Sequence, residues 1–463
     1  MGEAMTVPRP THADVQGWVV RGYRFAYVRH VVFTVHEATP VLDHLGRAVN
    51  GVGGVTQIRD ATPWSAKPPS TLNVAFTWTG LSALGVPGET LAGFPTEFRA
   101  GAAERSEKIG DIGESAWREW DEGMADTSRV HMIWTIHAET LEELQARHDE
   151  LTAAYGSAAS LVRQYDGQAF RDADGKVDDK VHFGYVDGIS QPRIHGFHDA
   201  DMPDRQPVSP FGAFFAGHES QFEGVIFDLP QPAAFSANGT YNAFRVLEQR
   251  VFEFEDYING QTGLDAEFVA AKMCGRWRNG NPLATHPTEP GSPVRDPAER
   301  KMLNDFGYAD DANGDVCPIG AHMRRANPRD GDVVQRASAH SRRIIRRGFP
   351  YGPEIAPGAT DDGIQRGLLG NFMCGSLIAQ FEAIMYDWVN LGLQHPDITG
   401  TNDPILGANA ALTSKFVIPR PEGDDIVLTD VPRFIRTRAA AYTFIPSLPG
   451  LRWLAALPSA SIR

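Results

Sequence analysis

HMIWTIHAETLEELQARHDEL (131–151) carries both periods from which the fold is read. In its first seven residues Met132, Trp134 and Ile136 recur every second position, the spacing that places side chains on one face of a strand. Glu139-Thr140 then opens a segment in which Leu141, Leu144 and Leu151 recur at helical spacing. An earlier stretch has the same outline, with VVFTV (31–35) as strand and residues 40–49 as helix. Strand-then-helix units separated by polar loops predict an α+β fold, an antiparallel sheet with helices packed on one face.

Further along, the composition shifts between about 196 and 315. RNGNPLATHPTEPGSPVRDPAER (278–300) is crowded with Pro, Gly and charge and reads as a long surface excursion. VFEFEDY (251–257) alternates well enough to predict a strand within it. Leu377, Ile378, Phe381, Ile384, Met385 and Trp388 form one apolar stripe on a long amphipathic helix. The chain divides into two α+β units, 1–195 and 205–463, the second interrupted by an insertion around 258–315.

The 463 residues, 42% of them hydrophobic, are ample for a globular protein with a sizeable core. A formal charge of −15 leaves no basic field to steer the chain onto nucleic acid. Cys274, Cys317 and Cys374 are far apart and form neither CxxC nor CxxCH, which argues against a disulfide framework, a zinc knot and covalently attached haem. MGEAMTVPRP (1–10) has no basic segment leading into an apolar one, and no apolar run is long enough to span a membrane. These features predict a cytoplasmic protein with reduced thiols. DDANGDV (310–316) misplaces the glycine of a calcium loop and lacks its closing glutamate, so it reads as an acidic turn.

Three blocks carry chemistry. CPIGAHMRRANPRD (317–330) holds a histidine able to ligate a metal, FGYVDGISQP (183–192) holds a carboxylate in a tight turn, and RRIIRRGFPYG (342–352) holds arginines beside a proline turn. Taken alone, His322 reads as a buried or capping residue, and Asp187-Gly188 as a hairpin turn. In this order, however, the blocks resemble those of the dye-decolorising peroxidases. DVQG (14–17), LNVAFTWTGLSALG (72–85), GDIGES (110–115) and RGLLGNFMCGSLIAQFE (366–382) extend the resemblance over nearly the whole chain.

The resemblance implies two ferredoxin-like domains, the second holding one non-covalent haem b. His322 then stands as the iron ligand, leaving the opposite coordination position for peroxide. Arg329 resembles the arginine that pairs with a haem propionate. Asp187, in the GxxDG element, would move a proton between the peroxide oxygens, and Arg346 would stabilise charge as the O–O bond polarises, with Arg347 as the neighbouring decoy. The implied activity is reduction of hydrogen peroxide and one-electron oxidation of bulky organic donors such as dyes and phenols, through a ferryl intermediate. The resemblance leaves room for a homo-oligomer.

Three positions depart from the family's pattern. Gly348 replaces a polar side chain two residues after the arginine, predicting a roomier distal pocket. Gly370 replaces an aromatic. Ser376 stands where relatives carry an acidic residue near the ligating histidine, leaving open what orients His322. Two other readings stay open at this point: haem binding for haem handling or iron release with little turnover, and a related haem enzyme that decomposes chlorite.

Overall fold

The computed structural model describes residues 7–458 apart from 173, 199–204, 335–339 and 357. Residues 1–6, on which part of the N-terminal reading rests, lie outside the described residues.

The first half runs β1 (Tyr27–Val35), α1 (Ala38–Asn50), β2 (Ser70–Phe76), β3 (Met132–Ala138), α2 (Leu141–Tyr155) and β4 (Ala159–Gln168). Thr140 caps α2 by accepting the Glu143 N–H, which satisfies one of the free donors at the helix start. Gly51 ends α1 in the left-handed conformation, at φ 64°. The strands pair antiparallel in the order β4-β1-β3-β2, the ferredoxin-like arrangement of a βαββαβ unit.

The second half repeats the plan. It contains β5 (Thr240–Gln249), α3 (Val251–Asn259), α4 (Ala266–Cys274), the short α5 (His322–Ala326), β6 (Ile345–Tyr351) and β7 (Gly367–Cys374). A π-helical segment follows in two runs, Leu377–Glu382 and Ile384–Asn390, before β8 (Ile435–Ile445) and α6 (Leu448–Ala455). Its strand order, β8-β5-β7-β6, is again that of a ferredoxin-like unit. The two halves join through a single register pair, Phe76 with Phe444, to give one eight-stranded sheet.

That sheet curls toward closure. A Cβ placed on Gly167 of β4 would stand 2.8 Å from the Phe349 ring and from the Pro350 carbonyl of β6, so the outermost strands meet where only glycine fits. Inside the curl, His30 and Tyr165 of the first half pack edge-on or tilted against Phe244 of β5 at 5.1 and 6.0 Å. On the outer face Trp134 packs against His44 of α1. All seven β3 residues are therefore buried, not only the alternate set read from the sequence. The two halves share one hydrophobic core.

Three local expectations are corrected. VFEFEDY is helical: Val251, Phe254 and Ile258 are the buried positions of α3, and this i, i+3, i+7 spacing outweighs the apparent alternation. Leu141 is 59% exposed while Leu144 and Leu151 are buried, because only the latter two face the sheet. Ile378 is 44% exposed although its neighbours in the stripe are buried, since the wider π winding turns it outward. The excursion around 258–315 is better packed than its composition suggests, with Trp277, Leu283, Phe306 and Tyr308 forming a core of their own with Cys317. No helix among the described residues is long and apolar enough to cross a membrane.

Candidate active site

A cavity of about 300 Å³ brings together His322, Asp187, Arg346 and Arg329, residues drawn from four separate stretches of chain. Its walls are largely apolar, with Leu247, Leu368, Phe372, Ile384 and Leu406 among them.

His322 begins α5 and is fixed from both sides. Its Nδ1 lies 2.9 Å from Oδ2 of Asp403, whose side chain is fully buried. Asp403 Oδ1 accepts the N–H groups of Ile405 and Leu406, both at 2.8 Å, so the carboxylate cannot rotate away. Burial acts to raise the Asp403 pKa, but His322, Arg325 and the Leu406 N–H outweigh it and hold the carboxyl below its usual range. The anion fixes Nδ1 as the protonated nitrogen and leaves the Nε2 lone pair for a ligand. The two arginines that follow are clamps. Arg324 binds Asp311 and the Cys317 carbonyl, while Arg325 ties α5 to the carbonyls of Trp388 and Thr401, next to Asp403.

Asp187 sits in a turn whose Gly188 takes φ 74°. The turn is pinned through its backbone, Asp187 N–H donating to the Asp179 carbonyl at 2.8 Å. The loop is also stitched to β6: Gln191 donates to the Arg346 carbonyl at 2.9 Å and accepts the Arg346 N–H at 3.1 Å, and Arg346 Nη2 donates to the Ser190 carbonyl at 2.8 Å. Carboxylate and guanidinium are thus held by one shared scaffold. A second cavity, of about 190 Å³ and lying on the opposite face of β7, shares Asp187, Arg346 and Gly348 with the first. A Cβ on Gly348 would come 3.7 Å from Asp187 Oδ2. Arg347, in contrast, spends its guanidinium on the carbonyls of Trp18 and Val19.

With this geometry the chain can be compared with known proteins. The family model described as the DyP dimeric alpha+beta barrel domain matches residues 14–171. "Peroxidase 2" of Mycetinis scorodonius is 29% identical over 465 residues, spanning 95% of this chain and 86% of that protein. The "Multifunctional dye peroxidase DyP2" of an Amycolatopsis species is 29% identical over 408 residues, covering 83% and 82%. A solved dye-decolorizing peroxidase in complex with 2,6-dimethoxyphenol superposes with a TM-score of 0.79 at 26% identity, over 96% of this chain and 99% of that one. All three comparisons point to the DyP-type peroxidases.

DyP-type peroxidases are haem enzymes, and the donor set here fits that group. The cavity offers one imidazole with a free Nε2, apolar walls for a macrocycle, and the guanidinium-bearing Arg329 and Arg343 in its lining for carboxylates. Cys274 also lines the cavity, but burial pushes its thiol up to about 12, so it stays protonated and is no rival ligand.

Ser376 does not orient His322. It caps the π-helical segment by accepting the Ala379 N–H, and Asp403 takes the orienting role. Sequence reasoning missed Asp403 because Asn402-Asp403-Pro404 reads as an ordinary turn. Arg329 is buried in the left-handed region at φ 55°. Its guanidinium stacks 3.7 Å over Phe306 and donates to the Asn304 and Phe306 carbonyls, so it also anchors the insertion.

Proposed function

We propose that this chain is a haem peroxidase that reduces hydrogen peroxide and oxidises bulky organic donors such as dyes and phenols in one-electron steps, with one non-covalent haem b per chain. The observation that carries the proposal is the His322–Asp403 pair, whose free Nε2 belongs to the same cavity as Asp187 and Arg346. Bound haem supplies an iron with a coordination position for peroxide and a store for two oxidising equivalents.

The protein's part is positioning and proton movement. His322 Nε2 would hold the iron, and Asp403, accepting from Nδ1, would orient the imidazole and strengthen it as a donor. Asp187, whose carboxylate has no hydrogen-bond or ion-pair partner among the described residues, takes a proton from one peroxide oxygen and returns it to the other, which departs as water. Arg346, anchored on Ser190, stabilises the negative charge that develops on the departing oxygen. Arg329, as the resemblance implies, would pair with a propionate, from a guanidinium that also donates to the Asn304 and Phe306 carbonyls. Gly348 leaves the distal side open toward the second cavity, giving small molecules room beside Asp187. The three cysteines are free and buried, which supports a cytoplasmic, reducing setting.

Steady-state oxidation of 2,6-dimethoxyphenol by the haem-loaded protein tests this reading. Asp187→Asn and Arg346→Ala should each lower kcat/KM for peroxide, by roughly 10²–10⁴ for the proton-transfer residue, with haem still bound. Wild-type peroxide turnover in both variants would contradict it.

A further inference from the structure

Gly275 ends α4 in the left-handed region, at φ 98°, and Arg276, the next residue, lines the His322 cavity. A Cβ on Gly275 would stand 3.3 Å from the Met323 side chain, so this turn is packed against α5 beside the histidine. Arg276 is 4% exposed. Its Nη1 donates to the carbonyls of Gly280 at 2.8 Å and Leu303 at 3.0 Å, while its Nη2, also buried, has no acceptor among the described residues.

Other buried arginines have their charge answered. Arg245 pairs with Asp111 at 2.5 Å, Arg324 with Asp311 at 3.0 Å and Arg342 with Asp387 at 2.7 Å. Arg276 pairs with no carboxylate among the described residues, and the charged side chains that act on it are two further cations, Arg329 and Arg346. Arg276 and Arg329 lie over the same ring, that of Phe306, at 5.3 and 3.7 Å from its centroid.

A buried cation is costly unless an anion or a full set of acceptors meets it. The Gly280 and Leu303 carbonyls explain how Arg276 holds the insertion, but they leave its charge and its Nη2 without a counterpart. A carboxylate supplies both at once. We propose that Arg276 is a second carboxylate-binding residue of the cavity, its Nη2 donating to one haem propionate while Arg329 meets the other. The inference rests on the haem-peroxidase reading above. Two guanidiniums over Phe306 suit a ligand with two carboxylates, whereas a ligand with one or none would leave a buried cation unpaired.

The electrostatics agree with this assignment. Burial, with Arg329 and Arg346 adding to it and Tyr308 and Cys274 acting against it, pushes the Arg276 guanidinium down to about 10, so it stays a cation at neutral pH. A carboxylate beside it offsets the mutual repulsion of the three guanidiniums. The new bond forms on Nη2, and neither bond of Nη1 has to break. Arg276 thus ties the insertion to the cofactor through one side chain.

The test is titration of the full chain with haemin and, separately, with haemin dimethyl ester, followed by Soret absorbance. Wild type should bind haemin more tightly than the ester, which offers no anion. Arg276→Met should lose roughly 10–100-fold in affinity for haemin and keep the wild-type affinity for the ester. Arg276→Lys, which retains a cation, should fall between wild type and Arg276→Met for haemin and match wild type for the ester. The lysine variant decides alone should the methionine variant fail to fold. Equal losses for both ligands would make Arg276 a support of the cavity wall and overturn the assignment, as would no loss for either. A wild type that takes up neither ligand overturns the haem reading itself, and the assignment with it.

Discussion

At the scale of single residues, the site depends on a pair separated by 81 positions in sequence, His322 and Asp403. His322 was legible because its block is distinctive. Asp403 was not, because burial and pairing are properties of the folded chain, and an Asp before Pro signals only a turn. Asp187 and Arg346 were legible as residue types in motifs, but the Gln191 and Ser190 contacts that fix them together were not. Asp403→Asn removes the charge that orients the imidazole and should weaken haem binding by about 10–100-fold, read by haemin titration. An unchanged affinity would show that His322 needs no carboxylate partner.

At the scale of elements, the first half was read well because its period-2 and helical patterns mark the right elements at β3 and α2, although β1 and β3 are buried on both faces and Leu141 is exposed. The second half was harder. A seven-residue alternation concealed the helix α3, and no spacing rule announces a π-helix, whose wider turn exposed Ile378. α3 matters to the site because Phe254 stacks on Phe183 at 4.7 Å, in the turn that leads to Asp187, and meets Phe434 edge-on at 5.2 Å. Phe254→Ala should destabilise the protein by about 3–5 kcal/mol in urea unfolding, as expected for truncating a fully buried ring. Ser376→Ala should cost about 0.5–2 kcal/mol through loss of the cap on the π-helical segment, with the haem spectrum unchanged. A shifted haem spectrum in that variant would return the serine to the site.

At the scale of the whole molecule, curling eight strands into a shared core buries polar groups that alternating patterns would assign to solvent. His30 and His137 lie in that interior, and burial lowers both to about 3. The folded state therefore binds fewer protons than the unfolded chain between about pH 6.5 and 3. Stability is fully present above the unfolded value and falls as the pH drops through that window, by about 2–3 kcal/mol per pH unit for the two histidines together. His137 Nδ1 has no hydrogen-bond partner among the described residues, so His137→Leu should halve this slope without losing that bond. An equally steep loss in that variant, measured by thermal melts from pH 7 to 4, would assign the acid sensitivity elsewhere.

His322 is proposed to hold a haem in the cavity it shares with Asp187 and Arg346. Haemin titration followed by absorbance, wild type beside His322→Ala, tests it most directly. Wild type should saturate at one haem per chain with a histidine-ligated ferric spectrum, and the variant should lose that spectrum and bind more weakly. Identical spectra and affinity in the two proteins would contradict the claim.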